Sequence, residues 1–197
     1  MSFTALFGGT FNPLHIGHCE ILSALENRPE IGEIWIMPTR IPPHKVFDRV
    51  ADDSVRIEMC RMAAERCKKA KVSLIEFERT GKSYTFDTVK LLKQKYPERD
   101  FVFVCGGDML VTFDEWYRYS ELMKMLPFYA FRRTDTDDTL FDSKKAQLER
   151  EGMRITVMNE RITAVSSTLI RKDVNSAKAL LPEYIYDYIK AGGIYGV

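Results

Sequence analysis

Six short runs rich in β-branched and aromatic residues, at positions 2–7, 33–38, 72–75, 101–105, 128–132 and 154–158, alternate with helical stretches near 17–24, 54–68, 84–96 and 143–151. Strands joined through helices run parallel, because each crossover returns the chain to the same end of the sheet, and parallel sheets occur with helices on both faces. The expectation is an α/β fold: a Rossmann-like parallel sheet whose ligands bind beyond the carboxyl ends of the strands. Two later helices complete it, one at 166–172 capped by Ser166 or Ser167 and one at 182–191 stopped by Gly192-Gly193. No repeat, low-complexity tract or linker interrupts the pattern, and 1–197 reads as one domain.

The first strand runs straight into Gly8-Gly9-Thr10-Phe11-Asn12-Pro13-Leu14-His15-Ile16-Gly17-His18. Paired glycines at a strand tip bare backbone N–H groups to a polyphosphate, and a helix starting near His15 or Gly17 aims its positive end at the same anion. His15 and His18 stand three apart, so on a first helical turn both rings project from one face, with Gly17 leaving room for a ligand. Neither G-x-x-x-x-G-K-[ST] nor G-x-G-x-x-G is present, so a P-loop phosphotransferase or a dinucleotide-binding dehydrogenase is not indicated. The alternatives are a glycine turn with two surface histidines, or half of a metal site. Zinc would want cysteine or carboxylate partners at matching spacing, and none is visible.

Composition narrows the partners. A net charge of +1 argues against a general nucleic-acid footprint, so any anion site has to be local. No apolar run reaches the ~18 residues of a membrane span, and the amino terminus lacks a basic region followed by a hydrophobic one. The expectation is a cytoplasmic protein with no membrane partner; whether it is a homo-oligomer stays open. Cys19, Cys60, Cys67 and Cys105 form no C-x-x-C pair and read as reduced, mostly buried thiols.

Further motifs fall at the expected strand ends. Pro38-Thr39-Arg40-Ile41-Pro42-Pro43-His44-Lys45 is a proline-stiffened loop with three basic side chains, suited to an acceptor phosphate or merely exposed. Gly81-Lys82-Ser83-Tyr84-Thr85-Phe86-Asp87-Thr88 precedes a helix, where Ser83 or Thr85 would cap first-turn amides. Cys105-Gly106-Gly107-Asp108 puts a carboxylate at a strand tip, to accept from a ribose, help hold magnesium or serve as an N-cap. Of the neighbours Trp116 and Tyr117, one is free to stack on a flat ring while the other packs inward. In Val165-Ser166-Ser167-Thr168-Leu169-Ile170-Arg171, hydroxyls at a helix start and an arginine make an anion-binding cup.

The 8–18 segment resembles the GGTFxPxHxGH signature of the HxGH nucleotidyltransferases, and 166–171 resembles their SSTxIR element. The intervening PPHK, GKSYTFDT, GGD and WY elements resemble, more narrowly, the bacterial nicotinate-mononucleotide adenylyltransferases, from Leu6 to Tyr195. Asn12 stands where the signature often has aspartate. The resemblance implies one nucleotidyltransferase domain in which ATP, with Mg²⁺, meets nicotinate mononucleotide. It implies that His15, His18 and Arg171 act on the triphosphate and the charge developing there, with Lys45 neutralising phosphate. Gly8, Gly9, Thr10, Phe11, Gly106, Asp108, Ser167 and Thr168 would bind ATP. His44, Thr85, Trp116 and Tyr117 would bind the mononucleotide, and no protein side chain would be a dedicated metal ligand. The rivals are a pantetheine-phosphate adenylyltransferase, nicotinamide mononucleotide as acceptor, and a non-catalytic nucleotide-binding regulator on the same fold.

Overall fold

The computed structural model describes residues 2–41 and 51–197. Its elements run β1 (Phe3–Gly9), α1 (Ile16–Glu26), β2 (Ile31–Pro38), α2 (Asp53–Ala64), β3 (Ala70–Val72), α3 (Thr85–Lys95), β4 (Phe101–Gly106), α4 (Gly107–Val111), α5 (Tyr119–Met125), β5 (Phe128–Arg133), α6 (Asp138–Arg150), β6 (Ile155–Ile162), α7 (Ser167–Lys172) and α8 (Glu183–Ala191). Among the described residues the strands form one sheet in the order β3-β2-β1-β4-β5-β6, with every pairing parallel.

Successive strand residues face opposite sides, and both sides are apolar. Phe7, Ile36 and Val104 meet Ile21 and Leu25 of α1, Met59 of α2 and Ile189 of α8 in one core. Leu6, Met37 and Phe103 meet Val89 of α3, Leu110 of α4, Leu122 of α5 and Phe141 of α6 in the other. The centre of the sheet is the β1–β4 pair, where the chain leaves β1 toward β2 and later leaves β4 toward β5. Connections that diverge in this way leave a crevice at the carboxyl ends of the two strands.

Local departures from the sequence reading have physical causes. The run expected as a strand at 72–75 is split: β3 ends at Val72, and Ile75–Glu78 is a 3₁₀ turn that buries Ile75 under the sheet. The helix expected at 143–151 starts earlier, because the Asp137 carboxylate accepts the Leu140 N–H at 3.0 Å and caps it. The strand expected to stop at 158 continues to Ile162, its outer residues Asn159, Glu160 and Arg161 being exposed on a sheet edge. Helices α4 and α5 were not expected; each is too short to show a helical period. Cys60, Cys67 and Cys105 are buried, Cys19 is half-buried, and all are free thiols.

Candidate active site

A cavity of about 630 Å³ opens at the carboxyl ends of β1 and β4. Gly8, Gly9, Thr10, Phe11, His15, His18, Gly106, Asp108, Ser167, Thr168, Arg171, Thr85, Trp116 and Tyr117 all line it. His44 and Lys45 lie outside the described residues.

The glycines serve different ends. A Cβ on Gly8 would meet nothing closer than 3.8 Å, so the protein's own packing tolerates a side chain there and the bare backbone faces the cavity. At Gly9 a Cβ would fall 2.9 Å from the Phe11 ring, which sits where it does because Phe11 has left-handed backbone, φ 49°. Gly17, expected to leave room for a ligand, lines the cavity and also lets α1 approach the chain after β6: a Cβ there would fall 2.8 Å from the Thr163 carbonyl oxygen. Glu20, one turn on, fixes that approach by accepting both the Thr163 N–H at 2.6 Å and its hydroxyl at 2.7 Å.

His15 caps α1 in extended backbone and His18 lies in its first turn, which stacks the two rings with centroids 3.6 Å apart. Phe11 packs its edge against His18 at 4.9 Å. Burial, and then the nearby Arg133 guanidinium, push the His15 pKa down to about 4, so the unliganded imidazole is neutral near pH 7. Arg171 reaches the same loop from α7. Its Nη1 donates to the Asn12 carbonyl at 2.7 Å and its Nη2 to the Thr168 hydroxyl at 3.2 Å, while the Ser167 hydroxyl donates to the Pro13 carbonyl at 3.2 Å. The Asn12–Pro13 peptide is cis.

Arg56, only 1% exposed, holds the strand tips underneath. Its Nη1 donates to the carbonyls of Thr10 and Thr39, each at 2.8 Å, and its Nη2 pairs with Asp53. Across the cavity, Asp108 lies in the first turn of α4, whose N-cap is Gly106, and pairs with Arg133 at 3.3 Å rather than capping the helix. Trp116 packs edge-on to Phe103 and tilted against Phe113, leaving it half-buried at the cavity wall, and Tyr117 lies beside Tyr84 at 4.5 Å. Capping by Ser83 or Thr85 does not occur: Tyr84 is the N-cap of α3, and Ser83 pairs with Ile41 through both its N–H and its hydroxyl. Arg40, one of the three basic residues of the proline loop, donates to the Arg79 carbonyl.

A family model described as cytidylyltransferase-like matches residues 6–173. Over 202 aligned residues, covering 99% of either chain, the sequence is 35% identical to nicotinate-nucleotide adenylyltransferase of Bacillus subtilis (strain 168). The chain belongs to the nicotinate-nucleotide adenylyltransferase family. Two solved structures of Plasmodium falciparum nicotinic acid mononucleotide adenylyltransferase, complexed with APC and with NaAD, match with a TM-score of 0.80 over 99% of this chain and 98% of theirs. At 19% and 21% identity they are similar in fold.

Arg133 and Glu76 also line the cavity, and no sequence motif had singled them out. Arg133 is the last residue of β5, and the rule that ligands gather at carboxyl strand ends could have found it. Glu76 follows the run at 72–75 that read as strand, in a turn no local pattern announced. It is buried, accepts from the Thr88 hydroxyl at 3.2 Å, and burial raises its pKa. Among the described residues no group of three or more His, Cys, Asp or Glu is placed to hold a metal ion. No helix among the described residues is long and apolar enough to cross a membrane.

Proposed function

We propose that the protein transfers the adenylyl group of ATP to nicotinate mononucleotide, giving nicotinate adenine dinucleotide and pyrophosphate in NAD biosynthesis. One observation carries the reading: a single cavity is lined by His15, His18 and Arg171 together with Gly106, Asp108, Thr85, Trp116 and Tyr117. The acceptor is a phosphate monoester, already anionic at neutral pH, so no base has to activate it. An oxygen of that phosphate attacks the α-phosphorus, the bond to the α,β-bridging oxygen breaks, and pyrophosphate leaves. Alignment of two bound substrates and stabilisation of the shifting charge supply the rate.

In this reading Gly8, Gly9, Thr10 and Phe11 present backbone to the polyphosphate, and His15, His18, Arg171, Ser167 and Thr168 take the charge that gathers on the bridging oxygen. Gly106 and Asp108 hold the adenylate side. Amides around Thr85 and Tyr117 accept the pyridine carboxylate, and Trp116 stacks on the ring. Lys45 and His44 act on the acceptor phosphate. Mg²⁺ entering with ATP offsets polyphosphate charge. The reaction is placed in the cytoplasm.

The purified protein, incubated with Mg-ATP and in turn nicotinate mononucleotide, nicotinamide mononucleotide and phosphopantetheine, should release pyrophosphate with a pyridine mononucleotide and form the corresponding dinucleotide. Turnover with phosphopantetheine alone would replace the acceptor, and ATP binding with no turnover on any acceptor would make the protein a nucleotide-binding regulator.

A further inference from the structure

The segment after α8 returns to the catalytic loop. Residues 192–197 turn back through Gly193 and Tyr195, both left-handed at φ 60° and 65°, a conformation that a bulky side chain such as tyrosine seldom adopts. The turn sends the Tyr195 hydroxyl to the Asn12 Oδ1, where it donates over 2.6 Å across 183 residues of sequence. The same oxygen accepts the Ala51 N–H at 3.1 Å, and the Asn12 side chain is 1% exposed. Since both neighbours donate, the amide must present its oxygen to them. The Asn12 backbone carbonyl in turn receives Arg171. Asn12 therefore joins four stretches of chain: the loop after β1, the entry to α2, the arginine of α7, and the turn after α8.

We propose that Tyr195 is a positioning residue for adenylyl transfer: its hydroxyl fixes Asn12, and through Asn12 the relative placement of the Gly8–His15 backbone and the Arg171 guanidinium. Tyr195 is not among the residues lining the cavity, so it acts through the loop rather than on a substrate. Reacting groups lose rate steeply when misplaced by an ångström, whereas the stability of a segment anchored by Ile194 and Val197 in the α1-side core does not hinge on one hydroxyl. The same geometry explains how asparagine serves at position 12. The two donors need an acceptor oxygen, and the amide provides one.

The inference rests on the adenylyl-transfer reading, so the unmodified protein is assayed first with Mg-ATP and nicotinate mononucleotide; no turnover there fails the reading, and the inference with it. With turnover present, Tyr195→Phe should lower kcat by about tenfold while the acceptor KM and the thermal midpoint stay those of the parent. Asn12→Ala should lower kcat at least as far, and the Asn12→Ala/Tyr195→Phe double variant no further than Asn12→Ala, because both single changes remove the Tyr195–Asn12 bond. Asn12→Asp, which keeps the acceptor oxygen, should retain more turnover than Asn12→Ala. A Tyr195→Phe protein with parental kcat, a kcat loss that tracks a lowered melting temperature, or losses that multiply in the double variant would each overturn the proposal.

Discussion

The backbone N–H of His15 donates to Nδ1 of His18 over 3.2 Å, which settles how the second histidine can act. A ring nitrogen that accepts carries no proton, so neutral His18 keeps its proton on Nε2 and offers that N–H as a donor. The tautomer is set by the backbone that begins α1, before any substrate arrives.

In the adenylyl-transfer reading, His18→Ala should remove a donor to charge that appears only during transfer. We expect kcat to fall by about a hundredfold or more, with the ATP KM much less affected. Steady-state kinetics with varied ATP check this. A raised KM at parental kcat would mean that His18 binds ground-state ATP only.

His15 should make the unliganded fold acid-sensitive. Its pKa is near 4 in the folded chain against an ordinary 6.5, so between those values the unfolded chain takes up a proton that the folded one excludes, and stability falls as pH falls through that window. The contribution is at most about 1.4 kcal/mol per pH unit. Melting profiles of the parent and His15→Gln should diverge there, the parent losing more on acidification. Parallel profiles would show that His15 titrates alike in both states.

The acceptor end should discriminate charge. If amides near Thr85 and Tyr117 receive a carboxylate, a carboxamide loses charge assistance and turns its NH₂ toward donors. kcat/KM should favour nicotinate mononucleotide over nicotinamide mononucleotide by about a hundredfold or more. Trp116→Ala should weaken both pyridine acceptors and leave ATP affinity nearly intact. Equal efficiency with the two acceptors would remove the carboxylate pocket, and an unchanged acceptor KM in the variant would leave Trp116 a packing residue on Phe103 and Phe113.

Arg56→Ala should cost about 2–4 kcal/mol of stability, because the carbonyls of Thr10 and Thr39 lose their buried donor. Urea denaturation measures it. A loss under about 1 kcal/mol would show that water replaces the guanidinium.

The sequence by itself determined the alternation of strands and helices, hence the parallel sheet, and the residue types of the loop after β1 and of the arginine element. Those features are local: a strand period, a glycine pair, and histidines three apart are all written within a few neighbours. It also placed Asp108 at the tip of the fourth strand, since in a parallel sheet every carboxyl strand end reaches the same rim, and it read Trp116 and Tyr117 as a polar loop, which lies just before α5. Tertiary structure alone decided what Gly17 is for, because its constraint is the carbonyl of Thr163, and why Arg56 matters, because its acceptors lie in two other loops. It alone made Arg133 depress the His15 pKa and turned Glu76 into the cavity. The Tyr195–Asn12 bond is the extreme case. No local pattern announces a contact whose partners stand 183 residues apart, because it exists only once the sheet has brought both ends of the chain to one crevice.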